Sequence, residues 1–287
     1  MIRVIRPAVG PDALEDAAGV GKREASRVAS HYHDPATAGQ PYKHFHAYKD
    51  PTVEAALNAL FQKKCAYCET NYQAAHSMQV EHYRPKGAVE VNGVDQPPGY
   101  FWLAAAWKNL LPSCIHCNSA EYLERYDGTI HKMGKGTKFP LADERARAKK
   151  PGDEAMEQPL LLNPCDDDPS LHLAFEPDGM IRGLSPAGWQ SIEVYGLWRL
   201  DLVKKRAERA ETIRHHVKKI EQHLLRIQDK KAQGINYQEN LDDLKDEVQA
   251  LKGYLRDERE FLAMARTMAE PILQKVNHFS QVHGLTV

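Results

Sequence analysis

The sequence predicts an α+β fold, with a small mixed core set between two Cys-x-x-Cys pairs and a mostly helical chain around it that ends in an antiparallel helical hairpin. Three observations predict it. Four of the five cysteines form the pairs Cys65-Ala-Tyr-Cys68 and Cys114-Ile-His-Cys117. Short apolar runs alternate with turn residues between the pairs and again near residue 178, the pattern of strands and hairpins rather than of long helices. From Ile213 to Leu255 the apolar residues instead step by three and four, which is the helical period.

Taken in chain order, residues 1–62 form a lead-in. Up to residue 50 Pro, Gly and His are scattered without a sustained period, leaving room for one helix among loops. A cleaner helix follows: Asp50 can cap it, Pro51 suits a first helical position, and Val53, Leu57, Leu60 and Phe61 share one face. Residues 63–198 make the central domain. Within it Gly99–Trp107, rich in aromatics, reads as a buried helix. The Pro177-Asp178-Gly179 turn between Leu171–Glu176 and Met180–Leu184 reads as a hairpin, and Ser185-Pro186 opens another helix. Residues 199–287 are helical. Ile213, Val217, Ile220, Leu224 and Ile227 form one stripe, and Tyr237, Leu241, Leu244, Val248, Leu251 and Leu255 form a second, with a break near Gly234. Two readings of the stripes stay open: they zip the two helices together, or they form a docking arm for a partner protein.

With 287 residues, 42% of them hydrophobic, the chain can bury an ordinary core. No apolar run approaches a membrane span and no secretory leader is visible, so a soluble, cytoplasmic protein is expected. Lysine and arginine total 38 against 39 acidic residues. Affinity for nucleic acid must therefore come from a local patch or a partner, not from overall charge.

The cysteine pairs supply four thiolates, enough for a closed tetrahedral zinc site. Their separation exceeds that of a compact zinc finger, so something substantial is built between them. There lies Val80-Glu81-His82-Tyr83-Arg84-Pro85, followed by Asn109-Leu110 and then by Asn118 directly after the last cysteine. Hydrolysis of a phosphodiester needs a base near neutrality, which histidine supplies, and a hard cation to stabilise developing negative charge. A carboxylate and an amide oxygen suit Mg²⁺ or Mn²⁺ better than zinc.

The order Cys-x-x-Cys, Glu-His, Asn-Leu, Cys-x-x-Cys-Asn resembles the zinc-knuckle branch of the HNH (ββα-metal) endonucleases. The resemblance implies a ββα core braced by structural Zn²⁺ on Cys65, Cys68, Cys114 and Cys117. It implies His82 as general base, Glu81 and Asn118 as ligands of a catalytic divalent ion, and Asn109 as the brace of the loop presenting His82. One departure is plain: where many members carry a lysine or arginine soon after Cys-Asn, this chain reads Asn118-Ser119-Ala120-Glu121. Lys132, Lys135 and Lys138, with Arg145, Arg147, Lys149 and Lys150 behind them, are the expected phosphate-contacting substitutes.

Glu81-His82-Tyr83-Arg84-Pro85-Lys86, Gly99-Tyr100-Phe101-Trp102-Leu103, Lys138-Phe139-Pro140-Leu141 and Leu162-Asn163-Pro164 are similar to the HNH subunit of Septu and retron-associated bacterial antiphage defence systems. That resemblance implies a DNA-cleaving effector working with an ABC-type ATPase partner. Nothing in these motifs reads the sugar, so an RNA-cleaving toxin stays open beside DNA. A zinc-braced module that binds without cutting is the remaining alternative. Cys165 beside Asp166–Asp168 reads as a small buried side chain at a loop, and His31, His33, His44 and His46 are left unassigned.

Overall fold

The helix expected after Asp50 forms as the sequence asks, and it leads into the first knuckle. Asp50 accepts a hydrogen bond from the Thr52 amide, Pro51 opens the helix, and Val53 and Leu57 bury their side chains completely. The computed structural model describes residues 1–73 and 76–287. Two units divide the chain: Met1–Ala174 with Arg182–Leu200, and Phe175–Ile181 with Asp201–Val287.

In the first unit a short helix α1 (Asp12–Glu15) and the longer α2 (Val20–His33) precede that helix, α3 (Pro51–Leu60). The lead-in is thus better ordered than its composition suggests, and it is integral to this unit. The carboxylate of Glu24, 1% exposed, accepts from the amides of His46 and Ala47, and Arg6 donates to the carbonyls of Trp107 and Leu110. A cluster of Leu14, Ala47, Val53, Leu57, Trp107 and Leu110 joins these helices to the centre of the unit.

Among the described residues the strands come as four antiparallel pairs. β1 (Gln79–His82) is followed by the hairpin β2 (Val89–Val91) and β3 (Val94–Gln96), turned by Asn92-Gly93 with positive φ at both positions. β4 (Leu110–Ser113) returns to β1, with Glu81 opposite Leu111 and His82 opposite Leu110, and runs straight into α4 (Ile115–Asn118). Strand, strand and helix therefore succeed one another around a long insertion. β5 (Glu121–Glu124) and β6 (Ile130–Met133) form a second hairpin, and β7 (Leu173–Phe175) with β8 (Ile181–Gly183) forms the one signalled by Pro-Asp-Gly. Ser185 then caps α5 (Pro186–Val194) through the Gly188 amide.

One expected element is different. Residues 99–107 are not a helix but a 3₁₀ turn at Phe101–Leu103, followed by an extended Ala106 and a second 3₁₀ turn at Trp107–Asn109. The reason is competition for the backbone. The Leu103 carbonyl, which a helix would pair with the residue 107 amide, accepts instead from the Ala106 amide and the Asn109 side chain, and the Tyr100 amide, an unpaired first-turn group in any helix here, is tied to the Pro85 carbonyl.

The second unit holds α6 (Leu200–Ala232), α7 (Gln238–Lys252) and α8 (Leu262–His283). The first two are the expected hairpin. Its stripe is covered inside the unit: Ile213, Ile220, Leu224, Ile227, Leu241, Leu244, Val248 and Leu251 pack with Ala265, Ala269, Ile272 and Val276 of α8. None of the helices described is long and apolar enough to cross a membrane.

Candidate active site and metal centre

The four cysteines come together because both knuckles are anchored on the same strand. The first closes through the Cys65 amide to the Thr70 carbonyl and docks on β4 through the Ala66 amide to the Pro112 carbonyl. The second is the start of α4, with Cys114 as its N-cap. All four sulfurs are buried and lie within 4.8 Å of one another, and Cys68 Sγ is 3.7 Å from Cys114 Sγ. A tetrahedral ion with Zn–S bonds of about 2.3 Å separates its sulfurs by roughly 3.8 Å, whereas a disulfide would bring them to about 2.05 Å. The donor set fits zinc. Beneath it lies the buried Arg199, whose Nη1 is 3.5 Å from Cys117 Sγ and whose Nη2 is 3.9 Å from Cys114 Sγ, the guanidinium being held by the Gly196 carbonyl. Four thiolates and one Zn²⁺ carry a net charge of −2, so a buried cation here offsets charge that would otherwise sit uncompensated in the interior.

β1 sorts the next residues by alternation. Gln79 and Glu81 point to one face, Val80 and His82 to the other. On the second face Val80 packs into the cluster around Leu57 and Trp107, and His82, 4% exposed, sits with its ring edge-on to Tyr48 at 4.6 Å. His82 Nε2 is 2.9 Å from the Ala104 carbonyl. A carbonyl can only accept, so Nε2 carries the hydrogen and Nδ1 keeps its lone pair in the neutral ring. Lys86 Nζ lies 3.3 Å from that Nδ1. Burial pushes the His82 imidazole well below its ordinary range, Lys86 and Lys135 add to the effect, and the Ala104 bond opposes it. The ring is therefore a neutral acceptor at physiological pH.

On the first face the Lys135 ammonium approaches Glu81 Oε1 at 2.6 Å, an ionic contact without hydrogen-bond alignment, and donates to the His82 carbonyl at 2.8 Å. Burial raises the Glu81 carboxyl, with Lys135 opposing. Lys135, expected from sequence as a phosphate contact, has no exposed surface. The correction has a local cause. Gly134, at φ 99°, lets the chain pass so close to α4 that a Cβ would strike the Ser119 carbonyl, and the amides of Lys135 and Gly136 bond to the carbonyls of Cys117 and Asn118. Lys132 remains exposed and Lys138 half-buried.

At the end of α4, Asn118 donates through Nδ2 to Gln79 Oε1 at 2.6 Å, which directs it to the Glu81 face of β1; among the described residues no donor reaches its Oδ1. Asn109, 2% exposed, clasps the loop behind the histidine. Its Oδ1 accepts from the Arg84 amide, its Nδ2 donates to the Arg84 and Leu103 carbonyls, and its own carbonyl accepts from Tyr83. Arg84 in turn pairs with the buried Glu157 at 2.8 Å. Cys165 is half-buried, and the Asp166 and Asp167 carboxylates bond Asn163 within their own loop.

Three contributors escaped the sequence. Arg199 sits in the apolar run Tyr195–Leu200 with no spacing to mark it, and Ala104 acts through its main chain. Lys86 alone carried a signal, as the last residue of Glu-His-Tyr-Arg-Pro-Lys.

No family model matches the chain. It is 43% identical over 173 residues to the Septu protein PtuB of Bacillus mycoides (strain KBAB4), covering 59% of this chain and 54% of that protein. It is 28% identical over 159 residues to the Septu protein PtuA of the same strain, covering 54% of this chain and 20% of the other. It is also 27% identical over 152 residues to the Septu protein PtuB of Bacillus thuringiensis, covering 53% and 43% respectively. The match with the Septu proteins thus takes in rather more than half of this chain but about half or less of each relative.

Proposed function

We propose that this chain is the metal-dependent nuclease of a Septu-type antiphage defence system, an HNH endonuclease that hydrolyses phosphodiester bonds of DNA and acts with an ABC-type ATPase. The observation that carries the reading is His82: its Nε2–H is fixed on a backbone carbonyl, so its Nδ1 lone pair is the one available to a water proton. In the reaction Nδ1 takes that proton as the water oxygen attacks phosphorus, and the bond to the leaving sugar oxygen breaks. Glu81 and Asn118, on the shared face of β1 and α4, would hold Mg²⁺ or Mn²⁺, with Lys135 occupying one carboxylate oxygen and leaving the other for the ion. When bound, that ion supplies charge stabilisation at the phosphate and the leaving oxygen. Asn109 keeps the histidine loop in place, and the zinc-braced knuckles hold β4 and α4 against β1. Lys132 and Lys138 are the cations left for backbone phosphates once Lys135 is assigned to the interior. Similarity to the Septu proteins supports the defence setting.

The test is plasmid cleavage by the purified chain, alone and with the ATPase, in Mg²⁺, Mn²⁺ or chelator. His82→Ala should lower the rate by about 10²–10⁴-fold, the usual worth of a general base, and Asn118→Ala should abolish the benefit of added metal, both at wild-type zinc content. Cleavage unchanged in His82→Ala would overturn the assignment and leave a zinc-braced binding module. An RNA substrate run in parallel reads the sugar preference.

A further inference from the structure

With its Nε2–H held on the Ala104 carbonyl, His82 carries its lone pair at Nδ1, and in this structure a cation stands on it. Lys86 Nζ is 3.3 Å from Nδ1, 4.6 Å from the centre of the Tyr48 ring and 5.8 Å from that of Phe45. The ammonium is thus held by one imidazole lone pair and the faces of two aromatic rings, a weak set of partners for a half-buried charge. Among the described residues it forms no ion pair with a carboxylate. Lys135, the other lysine at the site, is in the opposite condition, fully buried and committed to Glu81 and the His82 carbonyl. Lys49 stands over the same Tyr48 ring at 5.5 Å and adds a second cation on that side. The Glu81 and Glu24 carboxylates act on this ammonium through space, but neither is in direct contact with it. A partly desolvated ammonium without a directly paired anion, beside the base of a phosphodiester-cleaving site, is a place prepared for an arriving anion.

We infer that Lys86 is the residue that binds the scissile phosphate, and that in the substrate-free protein it caps the base by donating to His82 Nδ1. The inference rests on the nuclease reading above and names the phosphate contact that Asn118-Ser119-Ala120-Glu121 lacks. The lysine lies four residues beyond the histidine, past Pro85, on a flexible four-carbon stem that can move its charge a few ångströms without backbone change. When a phosphate enters, the ammonium exchanges a neutral nitrogen acceptor for an anionic oxygen, which forms the stronger bond. The same movement uncovers Nδ1, so the lone pair becomes available to water when a phosphate is in reach. No bond is made or broken in this exchange; Lys86 stays protonated throughout, and the proton taken from water goes to His82.

The test uses the full chain with Lys86→Met, which keeps the stem and removes the charge, and Lys86→Arg, which keeps the charge, both checked for wild-type zinc content. In binding of a short DNA duplex without divalent ion, one lost phosphate contact makes the salt dependence shallower by about 0.9 in log K against log salt. Lys86→Met should show that change and Lys86→Arg should not. With metal present, kcat/KM for the duplex should fall by roughly 10- to 100-fold in Lys86→Met, the range for a charge-assisted hydrogen bond, and recover substantially in Lys86→Arg. In the substrate-free protein, the nitrogen NMR signal of His82 Nδ1 should move in Lys86→Met; an unmoved signal overturns the cap. A wild-type salt slope and wild-type kcat/KM in Lys86→Met, with His82→Ala inactive, would overturn the phosphate role while leaving the nuclease reading intact. Failure of the wild type itself to bind or cleave DNA removes both together.

Discussion

The unit around the cysteines and the unit of three long helices are stabilised in opposite ways. In the helical unit Ile213, Ile220, Leu224, Leu244, Val248 and Leu251 are buried apolar residues on repeating faces. Among its described residues the buried polar side chains are Arg206, which donates to the Gly179 carbonyl at 2.7 Å, and Asn240, while the half-buried Glu247 bridges His216 at 2.7 Å and Lys219 at 2.8 Å between helices. In the cysteine unit the centre is polar: Glu81, His82, Asn109, Lys135 and Arg199 are all less than a tenth exposed. Burying such groups costs several kcal/mol each unless they are paired, and the pairing found here is partly imperfect, as at Glu81 Oε1. A region that accepts this cost needs an external brace, and the four-thiolate centre is in position to be one. The helical unit buries fewer such groups, Arg206 and Asn240 among its described residues, and leans on its apolar stripes instead.

That contrast can be broken most severely at the thiolates. Structural zinc binding is worth on the order of 10 kcal/mol, so Cys117→Ser, or a strong chelator, should collapse the near-ultraviolet circular dichroism of the cysteine unit while most far-ultraviolet helicity survives. Loss of both signals in one transition would show that the helical unit depends on the metal too. A smaller effect comes from the other side. Leu244, fully buried, should cost about 2–5 kcal/mol as Leu244→Ala, seen as a lower thermal midpoint for helix melting at unchanged zinc content. Zinc loss in that variant would remove the distinction between the units.

The smallest effect is at Glu247. Burial opposes its ionisation, but bonds from Lys219 and His216 hold the carboxyl below its ordinary value of 4.5. A carboxyl depressed in the folded state contributes stability that is fully present above the unfolded value and is lost as pH falls through the lower folded one. Glu247→Gln should therefore cost about 1 kcal/mol near neutrality, and the deficit should shrink as the pH of the melting experiment drops below about 4.5. A deficit independent of pH would assign the loss to packing.

How much could be read from residues alone follows the same division. Where structure depends on spacing along the chain, the sequence was a good guide: the Cys-x-x-Cys pairs converge, Asp50-Pro51 and Ser185-Pro186 start helices, Pro177-Asp178-Gly179 turns a hairpin, and the stripes around Ile220 and Leu244 meet. Where it depends on which partner a polar group finds, it was not. Lys135 looks like any surface lysine until Gly134 folds it under α4, and the aromatic run at Gly99 has a helical composition but gives its backbone bonds to Pro85 and Asn109. α8 was not marked off as an element of its own: its face toward the hairpin mixes Ala265 and Ala269 with Ile272 and Val276, and Pro271 lies inside it, where a proline ordinarily ends a helix.

The acceptor that orients His82 belongs to the main chain of Ala104, and this has a consequence for how the region tolerates change. Every residue type carries the same carbonyl, so the imidazole's tautomer does not depend on the chemistry of the side chain at 104, although Ala104 is itself buried with Val28 and Phe45 and leaves no room for a larger one. Adding or deleting one residue between Tyr100, whose amide is tied to Pro85, and that carbonyl would turn a different peptide group toward the ring and misdirect it. The stretch from the Tyr100 anchor to 104 is accordingly constrained in length by a main-chain contact, the reverse of an ordinary surface loop.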